Sequence, residues 1–283
     1  MSGEQPPGGS AVFERFVVEC DGERLSCVRV VPAAGAGAGR GAGVGAAVEG
    51  AHDLGAPSTV VVMHGAGNGN KGRLVELMSD CAGRGFPACA LDFSGHGDSS
   101  GTLGELSLER RFVQARAVVD AGVPADHRLI MVGFSMSGHT VADLAAHYGD
   151  RVRAIGLCAP AVYAAEAWSV PFAAGFTGII RAPGSWRRSP ALDAFRGVAA
   201  RAVLATPVVD EVIPEAVTEA IAAALGASAA RFTRLVFPRA GHKLGLWFRA
   251  NAAARAEFLD AVLAGSPRDP DGEPGVGADH LVH

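Results

Sequence analysis

The sequence predicts an α/β fold, in which an antiparallel hairpin precedes a doubly wound, mostly parallel sheet of eight strands in total. From Ser58 onward, short and continuously apolar runs alternate with helical segments, which is typical of parallel strands covered by helices on both faces. Near the N-terminus, two β-rich runs flank Asp21 and Gly22, a dipeptide that favours a two-residue hairpin turn. At 283 residues and 49% hydrophobic content, the chain is long enough to bury a sizeable core.

The predicted elements follow one another in a regular order. The hairpin strands are "VFERFVVEC" and "ERLSCVRVVP". Six further strands are predicted at residues 59–63, 87–93, 129–134, 154–158, 202–205 and 233–237. Helices are predicted near residues 71–84, 105–121, 137–148, 214–225 and 246–264.

The remaining segments interrupt or flank this pattern. Residues 1–10 are rich in Gly and Pro and are expected to be disordered, and residues 265–283 to form a flexible tail. Residues 33–57 are rich in Gly and Ala, which predicts a flexible loop insertion. Residues 160–190 contain aromatic and arginine side chains but no clear strand, so they are expected to extend over the sheet. Residues 11–264 are accordingly interpreted as a single domain.

Composition and charge argue against several classes of function. The formal net charge is only −4 and no stretch concentrates Lys or Arg, so a nucleic-acid partner is not expected. The five cysteines are scattered and lie mostly in apolar runs, which favours buried thiols in a reducing compartment. No signal-peptide pattern and no apolar run of about 20 residues is present, so we expect no membrane association and a cytoplasmic location. Neither a metal nor an organic cofactor is predicted, and the oligomeric state stays open.

The stretch "VGFSMSGHT" leads directly from a predicted strand through a tight turn into a predicted helix. Gly and Ser are ordinary turn residues, but the same pattern forms the strained turn that presents a nucleophile, here Ser135. A serine needs a nearby base and a carboxylate that orients the base.

Partners for Ser135 are expected in other loops at the carboxyl ends of strands, because these loops meet at one edge of a parallel sheet. The loop "TPVVDEVIP" offers Asp210, with Glu211 as the alternative, and the loop "PRAGHKLG" offers His242. Taken singly, Asp210 is also suited to capping the next helix, and His242 to a surface loop. The order Ser, Asp, His at three strand ends favours a catalytic interpretation. The glycine-rich "HGAG" after the first parallel strand and the amide of Met136 would supply oxyanion donors.

These motifs together resemble the α/β-hydrolase fold superfamily. The resemblance covers about residues 58–264 and comprises five features: the "HGAG" loop at His64, "DFSGHGDS" from Asp92, the turn at Ser135, the acidic loop "DEVIP" and the Gly-His at 241–242. Two positions depart from the usual pattern, because Ser137 and Pro207 stand where glycine is common.

The resemblance implies roles for individual residues. Ser135 would be the nucleophile, His242 the base and Asp210 the acid, and the amides of Ala66 and Met136 would bind the oxyanion. The implied reaction is cleavage of a carboxylic ester of a small organic substrate through an acyl-enzyme. A thioesterase or acyltransferase of a biosynthetic pathway is the main alternative, and a non-catalytic ligand-binding protein is the least favoured one.

The resemblance also implies a short cap over the nucleophile, formed by residues 160–190. Its aromatic side chains are expected to line an apolar substrate pocket; they are Trp168, Phe172, Phe176 and Trp186. Asn68 and Arg73 follow the "HGAG" loop at the expected pocket mouth. Such residues commonly cap the next helix, but Arg73 or Lys71 would alternatively pair with an anionic part of the substrate.

Overall fold

A computed structural model describes residues 11–33 and 56–264. The predicted disordered N-terminus, most of the predicted insertion and the predicted C-terminal tail lie outside these residues. Within them, eight strands form one sheet in the order β1-β2-β4-β3-β5-β6-β7-β8. The strands are β1 Val12–Cys20, β2 Glu23–Val31, β3 Ser58–Met63, β4 Ala88–Leu91, β5 Arg128–Phe134, β6 Val152–Cys158, β7 Arg201–Pro207 and β8 Phe232–Phe237.

The predicted hairpin and all six predicted parallel strands are present, with ends within two residues of the prediction. Asp21 (φ 55°) and Gly22 (φ 73°) both adopt positive φ, as the tight turn between β1 and β2 requires. β2 pairs antiparallel with β4, and β3 to β8 are parallel to one another. The fold class predicted from the sequence is confirmed.

Helices cover both faces of the sheet. They are α1 Val75–Gly83, α2 Leu108–Gly122, α3 Ser137–Tyr148, α4 Thr177–Arg181, α5 Pro190–Arg196, α6 Glu215–Gly226, α7 Leu244–Ala250 and α8 Ala252–Leu263. One core layer contains side chains of α2, α3, α5 and α6, and the opposite layer those of α1, α7 and α8. Along β5, Leu129 and Met131 belong to the first layer and Ile130 and Val132 to the second, which explains its unbroken apolar run.

Two helical predictions need correction. The segment 246–264 is two helices, because Asn251 adopts a non-helical conformation (φ −128°, ψ 89°) and its side chain donates a hydrogen bond to the carbonyl of Trp247. Helices α4 and α5, the second of which begins with Pro190, were not predicted. The described helices include none that is long and apolar enough to cross a bilayer.

Candidate active site

The turn after β5 places Ser135 at the carboxyl edge of the sheet with positive φ (51°), an unfavourable conformation for a residue with a side chain. The Ser135 amide donates to the carbonyl of Cys158 (2.9 Å), and the Ser135 carbonyl accepts from the amides of Gly138 (2.8 Å) and Ala161 (3.0 Å). Glycine is required at 133, because a Cβ there would lie 2.6 Å from the Ser137 carbonyl oxygen. These contacts hold the strained turn in one conformation.

Three side chains that are distant in sequence meet beside this turn. The Ser135 Oγ lies 2.9 Å from His242 Nε2, and His242 Nδ1 lies 2.9 Å from Asp210 Oδ2. The other carboxylate oxygen of Asp210 accepts hydrogen bonds from the amides of Val212 (2.9 Å) and Ile213 (2.8 Å), which fix its orientation. The side chains of His242 and Asp210 are only 15% and 10% exposed, so solvent competes little for these contacts.

The structure therefore distinguishes the two acids of the loop after β7. Asp210 reaches His242, whereas Glu211 is exposed. Pro207, the residue that departs from the usual glycine, ends β7 opposite Phe237, and the loop that follows it brings Asp210 to His242.

The loop after β3 passes close to Ser135. A Cβ on Gly65 would lie 3.1 Å from the Ser135 Cβ and 3.2 Å from the Phe134 carbonyl oxygen, so glycine permits this approach. The next residue, Ala66, lines the same cavity as Ser135. Over residues 11–33 and 56–264, no protein acceptor binds the amide of Ala66 or that of Met136, so both are available to a ligand.

The side chain of His64 holds this loop in place as a neutral imidazole. Its Nε2 accepts from the Phe93 amide (3.2 Å), so its Nδ1 carries the hydrogen and donates to the Gly65 carbonyl (2.6 Å). Burial, and secondarily the nearby Arg111 cation, lower the pKa of His64 well below its usual value.

A cavity of about 260 Å³ opens onto Ser135 and His242. Its apolar walls include Leu74, Phe134, Val212, Leu244 and Leu246. Its polar lining includes Asn68, Arg73 and Lys243, so the first two are placed at the site as the sequence predicts. Val212, Lys243 and Leu246 were not predicted, although each follows Asp210 or His242 by at most four residues.

The two candidate anion-binding cations differ in their surroundings. The Lys71 ammonium contacts Asp92 (2.5 Å) and Asp98 (2.8 Å). Burial opposes the charge of Lys71, but hydrogen bonds to these carboxylates outweigh it and raise the pKa of Lys71. Arg73, in contrast, lines the cavity and has no carboxylate partner in the described part of the chain. Of the two, only Arg73 is placed to meet an anionic substrate.

The predicted substrate-contacting aromatics of the cap are not among the residues that line this cavity. Trp168 packs near the rings of Phe112 and His139, at 6.1 Å between centroids in each case. Phe172 packs at 4.6 Å against Phe176. Trp186 packs against the core layer that contains side chains of α2, α3, α5 and α6, and the Arg187 guanidinium lies over its ring. These rings pack within residues 160–190, the predicted cap, and against side chains of the main core beneath that segment. The cavity wall comes instead from the loops after β3, β7 and β8.

Comparison with known proteins agrees with this architecture. A model of the serine aminopeptidase family S33 matches residues 56–185. No curated protein sequence matches the chain. Among solved structures, a thioesterase domain from the curacin biosynthetic pathway shares 15% identity at a TM-score of 0.61, covering 88% of this chain and 99% of its own.

Two further solved structures show the same fold. Est1E of Butyrivibrio proteoclasticus, solved with ferulic acid bound, shares 16% identity at a TM-score of 0.60, covering 87% of this chain and 99% of its own. The enol-lactonase of Burkholderia xenovorans LB400 shares 15% identity at a TM-score of 0.59, covering 86% and 99%. At such low identity these similarities establish the fold.

Proposed function

We propose that this chain is a serine hydrolase of the α/β-hydrolase fold superfamily, and that it cleaves a carboxylic ester, or a related acyl compound, of a small organic molecule. The observation that carries the proposal is the continuous hydrogen-bonded chain from Ser135 through His242 to Asp210, with 2.9 Å at both contacts. This arrangement lets a serine hydroxyl lose its proton as it attacks a carbonyl carbon.

The first half of the proposed reaction forms an acyl-enzyme. His242 Nε2 takes the proton of Ser135 as Oγ attacks the carbonyl, and Asp210 stabilises the resulting imidazolium. The amides of Ala66 and Met136 bind the oxyanion, each contributing about 3–4 kcal/mol to transition-state stabilisation. His242 then gives its proton to the leaving alcohol.

The second half releases the acid. A water molecule loses a proton to His242 Nε2 and attacks the acyl carbonyl, and Ser135 leaves with the proton returned by His242. A thioesterase would differ only in the leaving thiol, and an acyltransferase in the use of an alcohol or amine in place of water. Product analysis with and without such acceptors distinguishes hydrolysis from transfer.

The proposal is tested by labelling with a fluorophosphonate probe and by turnover of p-nitrophenyl esters. We expect mass spectrometry to locate the adduct on Ser135, and Ser135→Ala to lower kcat by at least about 10³-fold. Ser169→Ala, which changes an exposed serine of the cap, is the matched control and should retain both labelling and turnover. Unchanged turnover of Ser135→Ala would refute the mechanism, and a folded protein that resists the probe would favour a ligand-binding role.

A further inference from the structure

Arg111 of α2 is a fully buried cation that has no counter-ion among residues 11–33 and 56–264. Its side chain has no exposed surface, and its guanidinium carbon lies 3.7 Å from the centroid of the Phe93 ring. In the described part of the structure, no carboxylate pairs with it, and its Nε and Nη1 have no hydrogen-bond partner. Burial lowers the pKa of Arg111 to about 9, so the group stays charged at neutral pH. Burying such a charge is costly, so the remaining contacts of the guanidinium must offset part of that cost.

These contacts form a closed network of three groups, here called the Arg111 network: the Arg111 guanidinium, the Ser137 hydroxyl and the His64 carbonyl. Arg111 Nη2 donates to the His64 carbonyl oxygen (2.9 Å) and to Ser137 Oγ (2.7 Å). The Ser137 hydroxyl donates in turn to the same His64 carbonyl oxygen (2.7 Å). All three residues are buried, so water does not compete with these bonds.

The Arg111 network joins the two backbone segments that carry the proposed oxyanion donors. His64 precedes Ala66 by two residues, and Ser137 directly follows Met136. One donor belongs to the loop after β3 and the other to the start of α3. The pairing of β3 with β5 ends at Met63 and Gly133, three residues before each donor, so it does not extend to the donors themselves. The network also explains why serine stands at position 137, where the α/β-hydrolase pattern commonly has glycine. Without the Ser137 hydroxyl, the His64 carbonyl and the Arg111 guanidinium would each lose one hydrogen bond.

We propose that Arg111 and Ser137 are positioning residues that hold the amides of Ala66 and Met136 at the separation needed to bind one oxyanion. The inference rests on the proposed function. Oxyanion donors stabilise the transition state more than the bound substrate, so loosening them lowers kcat rather than raising KM.

The test compares variants of the 283-residue chain on a p-nitrophenyl ester. Ser137→Ala and Ser137→Gly should each lower kcat roughly 10- to 100-fold, with KM within about twofold, since full loss of one oxyanion donor costs 10²- to 10³-fold. The affinity for a trifluoromethyl ketone, which forms the tetrahedral oxyanion, should fall by the same factor as kcat. Arg111→Lys keeps a charged donor and should lose less activity than Arg111→Met.

A matched control separates positioning from general stability. Gln114 lies one turn along α2 and is equally buried, but it binds Ser94 instead of the network. Gln114→Leu should lower Tm while kcat and inhibitor affinity stay near those of the unmodified protein. If Arg111→Met does not fold, the two Ser137 variants decide the question.

Three results would overturn the inference. The first is a kcat for both Ser137 variants within twofold of the unmodified protein. The second is a loss of kcat without a matching loss of affinity for the trifluoromethyl ketone. The third is an equal loss of kcat in Gln114→Leu, when its Tm matches that of the Ser137 or Arg111 variants. Failure of the proposed function is recognised separately, because the unmodified protein would then carry no probe on Ser135, and both proposals would fall.

Discussion

Replacing Asp210 by Asn tests the role of the acid with little change in shape. The amide oxygen of Asn can take the position of Oδ1 and keep the hydrogen bonds from the amides of Val212 and Ile213, which lie 2.9 and 2.8 Å away. The amide NH₂ group then faces His242 Nδ1, where the carboxylate oxygen lay at 2.9 Å. His242 Nδ1 must accept that hydrogen bond, so the ring hydrogen moves to Nε2 and faces Ser135.

In this tautomer His242 cannot take the proton of Ser135. Replacing the acid of such a triad by its amide lowers kcat about 10⁴-fold, which corresponds to about 5.4 kcal/mol in the activation barrier. The overall fold should be retained, because the loop contacts of residue 210 persist. KM should change little, since Asp210 is not among the residues that line the described cavity.

The assay is steady-state hydrolysis of a p-nitrophenyl ester by Asp210→Asn, with Glu211→Gln as the control. Glu211 is exposed, so its variant should keep kcat within about twofold. Retention of more than a tenth of the activity by Asp210→Asn, or a large loss in Glu211→Gln, would show that the hydrogen bond seen at Asp210 is not the one used in catalysis.

Two other residues give predictions of a different kind. Arg73→Ala should raise KM about tenfold for esters that carry a carboxylate or phosphate, and should leave KM for neutral esters within twofold of the unmodified protein. As a control, Arg187→Ala, which changes an exposed arginine, should change KM for neither class of ester. An equal rise in KM for both classes in Arg73→Ala would contradict this. Asp143→Asn should stabilise the protein at alkaline pH, because burial raises the pKa of Asp143 to about 8 from 3.8, and one of its oxygens has no hydrogen-bond partner. Since the folded state holds this proton more tightly, the contribution of Asp143 to stability is present below about pH 4 and is lost as pH rises to about 8. The Tm difference between variant and unmodified protein should therefore grow between pH 5 and pH 8.5, and an equal difference at both would refute the reasoning.

Much of the site was predictable because it depends on rules that act locally along the chain. A strand, a tight turn and a helix place Ser135 at the carboxyl edge of the sheet, and the same edge receives the loops that carry Asp210 and His242. Glu211 remained an alternative, because two adjacent acids in one loop cannot be distinguished by their position in the sequence. The choice of Asp210 depends on its hydrogen bonds to His242 and to the amides of Val212 and Ile213.

The sequence by itself determined the sheet, because an apolar run must be covered on both faces and leaves few alternatives to a parallel strand between helices. It did not determine which side chains face the cavity. The aromatic side chains of residues 160–190 can be buried against other protein side chains as well as against a substrate. In the structure, Trp168 packs near Phe112 and His139, and Phe172 packs against Phe176. The Arg111 network was likewise decided only by tertiary structure, because its three groups belong to separate elements and a buried arginine on a helix has no signature in sequence.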